Sequence, residues 1–139
     1  MTSRVSLVVL CFAIAACASR RTPLPTNASV GGGRIVWPVP AALSANAAPR
    51  ILAMRFSSLE LVRPTTWRAQ FVTSTNVAAM DVRTDLFAIN VPKTGAGRFA
   101  FTLHVYDVPP IFLRAYRLRV IARNAAGKAT EEDVPLQIR

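Results

Sequence analysis

From residue 51 to the end of the chain, apolar side chains recur at every second position in short runs that end at turn-forming residues. This spacing puts the apolar side chains of a strand on one face, and no helical period follows residue 50. We therefore predict an all-β fold: a single antiparallel β-sandwich of about seven strands over residues 51–139. The clearest runs are Trp67/Ala69/Phe71, Phe99/Phe101/Leu103/Val105, Tyr116/Leu118/Val120/Ala122 and Val134/Leu136/Ile138.

The stretch LRAYRLRVIARNAAG, residues 113–127, resembles the strand F to strand G signature of fibronectin type III and related bacterial immunoglobulin-like domains. The resemblance implies that Tyr116 forms a tyrosine corner, a buried ring whose hydroxyl bonds backbone just upstream. It also implies that Trp67 is the core tryptophan, and that Asn124 and Gly127 shape the following hairpin turn. The predicted domain has no cysteine pair, which fits the fibronectin-like branch better than antibody-type domains.

The N-terminus combines Arg4, an apolar run over residues 5–14, and the sequence Ile14-Ala15-Ala16-Cys17. The run is shorter than the roughly 20 residues that a membrane-spanning helix needs. The four residues resemble a bacterial lipobox, which implies a signal peptide over residues 1–16 and a lipid on Cys17. In a cell with two membranes, the resemblance implies an outer-membrane anchor facing the periplasm. The alternative is an A-x-A cleavage site that releases a soluble protein beginning at Ser19.

Residues 17–50 are rich in Pro, Ala, Gly, Ser and Asn and show no regular period. Such a composition buries little apolar surface of its own, so we predict a flexible, mostly disordered tether. Trp37 is unusual in such a segment. Three interpretations stay open: docking on the sandwich, contact with a membrane surface, or binding of a partner. We favour docking.

The chain carries a formal net charge of +10, from 17 Lys+Arg against 7 Asp+Glu. This balance favours anionic partners such as lipid headgroups or an envelope polymer; the alternative is that the arginine richness reflects genome composition. Nucleic acid is not indicated, because clustered Lys/Arg runs and an aromatic RNA-binding strand motif are missing. We predict a candidate surface for anions or partners on the outer face of one sheet, formed by Arg83, Arg117, Arg119, Arg123 and Arg139. The alternative is that Asp81 and the acidic residues 131–133 neutralise it.

A catalytic site needs convergent nucleophiles, acids, bases or metal ligands. The domain has one histidine, His104, on the predicted outward side of a strand, and no cysteine. We therefore predict no enzyme activity, no metal site and no cofactor. The expected function is a membrane-anchored cell-envelope lipoprotein whose domain is a binding or assembly module. The alternative is a structural spacer or subunit of a larger envelope complex.

Overall fold

A computed structural model describes residues 21–139; the predicted signal peptide and Cys17 lie outside them. Two five-stranded sheets pack against each other, which confirms the predicted all-β sandwich. The described residues contain no helix long and apolar enough to cross a membrane. The elements are β1 (Ala28–Val30), β2 (Ile51–Phe56), β3 (Glu60–Leu61), β4 (Thr65–Thr73), β5 (Val77–Arg83), β6 (Ala88–Asn90), β7 (Lys93–Gly95), β8 (Arg98–Val105), a 3-10 turn (Pro110–Phe112), β9 (Ala115–Asn124) and β10 (Ala129–Ile138).

The two sheets have the strand order of an immunoglobulin-like Greek key. Sheet A has the order β1-β2-β4-β8-β7, and sheet B has the order β3-β10-β9-β5-β6. The chain therefore crosses between the sheets five times: from β2 to β3, from β3 to β4, from β4 to β5, from β6 to β7 and from β8 to β9. All pairings are antiparallel except β1 with β2 and β3 with β10. These crossings bring β4 and β9, the central strands of the two sheets, onto the same core.

All seven predicted strands are present, as β2, β4, β5, β6, β8, β9 and β10. Three short strands add to them. Strand β3 follows the first predicted strand, β7 precedes the run that begins at Phe99, and β1 lies in the predicted tether. The last strand begins at Ala129 rather than near Val134, because its first half pairs with β9 despite carrying polar residues.

Aromatic side chains fill much of the core. Trp67 is fully buried, and its ring meets that of Phe101 edge-on with centroids 5.1 Å apart. It also lies parallel to the ring of Phe56 at 6.2 Å. The indole Nε1 donates a 2.8 Å hydrogen bond to the carbonyl of Ser58, so the one polar atom of this side chain is satisfied. These contacts confirm Trp67 as the core tryptophan.

The predicted tyrosine corner is also present. The hydroxyl of Tyr116 donates a 2.8 Å hydrogen bond to the carbonyl of Phe112, four residues upstream. The ring is buried. In the hairpin between β9 and β10, Gly127 has a φ of 84°, a left-handed conformation that favours glycine. Asn124 accepts a 2.9 Å bond from the amide of Lys128 and closes the same turn.

The two ends of the sandwich carry different structures. We define the upper end as the one where β2, β5 and β10 begin, and the lower end as the one where β4 and β9 begin. The β9–β10 turn lies at the upper end, and the chain ends at the lower end. Because β1 runs parallel to β2, the chain enters β1 from the upper end.

The N-terminal segment, residues 21–50, is bound to the sandwich. Strand β1 extends sheet A along β2, with Ser29 opposite Arg55. Beside it, the Asn27 amide donates to the carbonyl of Ile51 at 3.0 Å and to a carboxylate oxygen of Glu132 at 2.9 Å. The segment is thereby joined to both sheets at the upper end.

The later part of the segment is held by two asparagine side chains. Asn124 donates to the carbonyls of Ala45 and Ala47 at 3.1 and 2.8 Å, and Asn76 donates to those of Ser44 and Ala47 at 3.0 and 2.8 Å. The prediction of a flexible tether is therefore wrong for residues 27–47. Composition describes only what a segment can bury by itself, whereas here the sandwich supplies the partners.

Trp37 docks on the outer face of sheet A, as predicted. It lines one shallow cavity together with Gln70, Val72 and Arg98. Val72 follows the inward-facing Phe71 and so faces outward, yet it is 2% exposed. Residues 34–40 therefore cover the upper part of this face.

Candidate binding surfaces

The predicted arginine cluster is partly assembled by sheet B. Arg83 on β5 pairs in register with Arg119 on β9, and both line an open cleft of about 440 Å³ with Arg117 and Asp85. The alternation of β9 places Arg117, Arg119 and Arg123 on its outward side. The cleft is therefore basic in its residue content.

Carboxylates neutralise most of this cluster. All the partner side chains are at least partly exposed, so each pair contributes less than about 1 kcal/mol. The register places Arg119 opposite Asp133 on the adjoining strand, so Arg117 and Arg119 each reach a carboxylate on the diagonal, Asp133 and Glu131 respectively. The ion pairs are Arg83 to Asp81 at 3.0 Å, Arg117 to Asp133 at 3.7 Å and Arg119 to Glu131 at 3.8 Å.

The remaining two predicted residues lie apart from the cleft. Arg139 pairs with Glu60 at 2.8 Å at the β3 edge of sheet B. Arg123 has a buried Nε that no acceptor within residues 21–139 reaches. Four of the five arginines thus have an acidic partner. Three of these partners are the ones that the alternative interpretation expected, and the fourth, Glu60, is not. Anion binding by this face stays a prediction.

Arg114 borders the same cleft from below. Its guanidinium lies 4.9 Å from the centroid of the Tyr116 ring and 2.6 Å from an Asp85 carboxylate oxygen. A hydrogen bond with Tyr116, and then the charge of Asp85, raise the pKa of Arg114 above its usual value. The arginine thus links the tyrosine corner to the β5–β6 loop.

The unneutralised basic surface lies on the opposite sheet. The five strands of sheet A carry Arg55, Arg68, Lys93 and Arg98 and contain no acidic residue. The first acidic residue of the whole chain is Glu60, and all seven acidic residues lie in sheet B or in loops. Within residues 21–139, no ion pair includes a cation of sheet A.

The N-terminal segment adds charge and apolar surface to this face. It carries Arg34 and no acidic residue, and Arg34 is exposed. Arg55 donates to the carbonyls of Gly31 and Gly33, so the segment returns over the sheet from its lower end. On either side of the docked Trp37, Val36 is 97% and Val39 is 82% exposed. We name this surface, with Arg34, Arg68, Arg98, Val36 and Val39, the sheet A face.

The sequence did not predict the sheet A face, because strand order decides which side chains lie together on one face of a sheet. Each of β2, β4 and β8 visibly contains no acidic residue. Along the chain, however, these strands are separated by Glu60, Asp81 and Asp85, which lie in sheet B or in a loop. The outward arginines of β9 lie close together in one strand, so the sequence alone predicts that they share a face.

A third surface is an apolar groove at the lower end, which we name the end groove. It encloses about 360 Å³, and its lining is almost entirely carbon. Its walls are the β5–β6 loop, the end of β8 and the loop before β9, with Phe87, Leu103 and Val108 among the lining residues. Tyr106 is one of the lining residues, and Ile111 lies in the 3-10 turn between the lining residues Pro109 and Phe112; both side chains are mostly exposed.

The polar groups near the end groove are paired. Arg63 donates a 2.7 Å bond to the carbonyl of Val108 and lies 3.8 Å from Asp107. His104 is exposed on sheet A, where its Nδ1 lies 3.1 Å from the hydroxyl of Thr66. Among residues 21–139, no three His, Cys, Asp or Glu side chains cluster as metal ligands would.

No family model matches the chain, and no curated protein matches it either.

Proposed function

We propose that the protein is a lipid-anchored lipoprotein of a bacterial cell envelope, with a non-catalytic immunoglobulin-like domain that binds another envelope protein through the end groove. The observation that carries the proposal is the groove itself, an almost wholly apolar cavity bordered by exposed hydrophobic side chains. Protein interfaces have this arrangement, with an apolar centre and a polar rim.

Charge favours a protein segment as the occupant. Near the groove, Arg63 pairs with Asp107, so this cation already faces a carboxylate. An anionic polymer gains nothing from such a pair, whereas an apolar side chain of a partner gains by leaving water. Burying one large apolar side chain contributes about 1.5–3 kcal/mol.

The position of the groove supports the anchor as well. Cys17 precedes Asn27 by ten residues, and Asn27 is fixed at the upper end. A chain of that length spans at most about 35 Å. An anchor at Cys17 would hold the upper end near the membrane and leave the lower end accessible to a partner.

Intact mass of the chain extracted from membranes tests the anchor. We expect a chain beginning at Cys17 with added acyl groups, and we expect Cys17→Ala to lose them. A soluble, unlipidated chain beginning at Ser19 would contradict the anchor and leave the groove proposal to its own test.

Photo-crosslinking in the cell tests the groove. A photoreactive amino acid at position 111 should crosslink one protein through an apolar peptide of that partner, identified by mass spectrometry. The matched control is position 88, on the exposed edge strand β6, which should not give this product. Equal products from both positions, or a lipid adduct at position 111, would contradict a protein-binding groove.

A further inference from the structure

We infer that the sheet A face binds the surface of an anionic lipid bilayer, so that the domain lies with this sheet against the membrane. The inference goes beyond the proposed function and does not depend on acylation of Cys17. It begins from the charge distribution. The strands of sheet A and the N-terminal segment hold all their charge as cations, while three arginines of sheet B, Arg83, Arg117 and Arg119, pair with carboxylates.

The cations of this face are available to a ligand. Arg34, Arg68 and Arg98 are exposed, and within residues 21–139 none of them forms an ion pair or a side-chain hydrogen bond. Arg68 on β4 and Arg98 on β8 project from adjoining strands of one sheet. Both side chains lie on the outward face of sheet A, so they can contact one bilayer surface together. Each basic residue near anionic lipid strengthens binding about fivefold.

Exposed apolar side chains on this face favour a bilayer over a soluble polyanion as its ligand. Val36 and Val39 are almost fully exposed on the segment that crosses this face. Cations beside exposed aliphatic side chains characterise surfaces that rest in the headgroup region, where the apolar groups enter the acyl boundary. A polysaccharide or nucleic acid offers no apolar phase for them.

Vesicle flotation tests the inference with the full chain carrying Cys17→Ala, which removes the acylation site. The probes are phosphatidylcholine vesicles with and without phosphatidylglycerol, at low and high salt. The test variant combines Arg34→Gln, Arg68→Gln and Arg98→Gln. The control variant combines Arg83→Gln, Arg117→Gln and Arg119→Gln, which removes the same charge from sheet B and leaves residues 1–20 identical.

We expect the test variant to lose about a hundredfold in partitioning onto anionic vesicles, from three contributions of about fivefold each. The control variant should lose less than about threefold, because its arginines already face carboxylates. Equal losses in both variants would show a general charge effect and overturn the inference. Binding that ignores phosphatidylglycerol would overturn it too.

A second pair of substitutions distinguishes the lipid surface from an acidic polymer. Val36→Ser with Val39→Ser should weaken binding to anionic vesicles about tenfold, since both side chains lose their burial in the interface. The same change should leave binding to the soluble polyanion heparin unaltered. If the valines have no effect on vesicle binding while heparin binds as tightly as the vesicles do, the surface recognises a polymer and the inference is wrong. All substituted side chains are exposed, so thermal unfolding should stay unchanged and provides the check on folding.

Discussion

The substitution Asn124→Asp tests whether the N-terminal segment is part of the folded domain. The side chain is nearly isosteric, but a carboxylate cannot donate the two bonds that Asn124 now gives to the carbonyls of Ala45 and Ala47. It still accepts the bond from the Lys128 amide. The change therefore removes the contacts to the segment and preserves the hairpin turn.

The magnitude follows from the environment of the amide. Asn124 is 5% exposed, and each lost bond contributes about 1 kcal/mol. A carboxylate held against two carbonyl oxygens adds repulsion and a desolvation penalty. We expect the free energy of unfolding to fall by about 2–4 kcal/mol at neutral pH, measured by urea denaturation. Trp37 reports on the segment and Trp67 on the core.

The deficit should also depend on pH. The two carbonyls disfavour the charged form, so the folded-state pKa of the new carboxyl lies above the unfolded value of about 3.9. The penalty is then fully present above the folded-state pKa and shrinks as the pH falls through it. The control is Asn46→Asp, the same chemical change at an exposed site, which should alter stability by less than about 0.5 kcal/mol. Equal stability of Asn124→Asp and the native chain would refute the docking of the segment.

Three further substitutions test separate parts of the fold by thermal or urea denaturation. Tyr116→Phe removes the corner hydrogen bond and should cost about 1–3 kcal/mol, whereas Tyr106→Phe, at an exposed ring, should cost almost nothing; equal effects would exclude the corner as the cause. Gly97→Ala should cost about 2–4 kcal/mol, because its φ is +62° and an added Cβ would lie 2.6 Å from a backbone oxygen. Gly127 has a φ of +84°, and no atom lies within 4 Å of an added Cβ, so Gly127→Ala should cost only the backbone strain, about 1–2 kcal/mol. An equally large loss in both variants would mean that the close contact of the added Cβ at position 97 contributes nothing. Arg119→Gln should change stability by less than about 1 kcal/mol, since its ion pair is exposed and 3.8 Å long; a larger loss would show that sheet B depends on its arginines.

The sandwich could be predicted from the sequence because its strands each bury one face. Apolar and polar residues alternate around Trp67, Phe101 and Leu118 because every second side chain is buried, and all three of these side chains are buried in the structure. Tyr116 was assigned by resemblance, and its hydrogen bond is where the resemblance implied. Both signals are local, within one strand or one hairpin.

What could not be predicted depends on contacts between distant parts of the chain. The N-terminal segment has no pattern of its own, since its order comes from Asn76 and Asn124, far along the sequence. The ion pairs of sheet B depend on the register that puts Arg117 and Arg119 diagonally across from Asp133 and Glu131. The basic character of sheet A depends on which strands it contains. Neither register nor strand order can be read from the residues of one strand.

The bond between Asn27 and Glu132 has a consequence for the order of assembly. It joins residues 105 positions apart, near opposite ends of the chain. Strand β1 pairs with β2, and their sheet is complete only after β8 has formed. During synthesis the N-terminal residues emerge first, so this bond has no acceptor until the last strand has emerged. Contacts of such long separation form late and slowly. The contact between the N-terminal segment and sheet B is therefore one of the last to form, whereas β1 and Asn27 can reach their partners in β2 as soon as that strand has emerged.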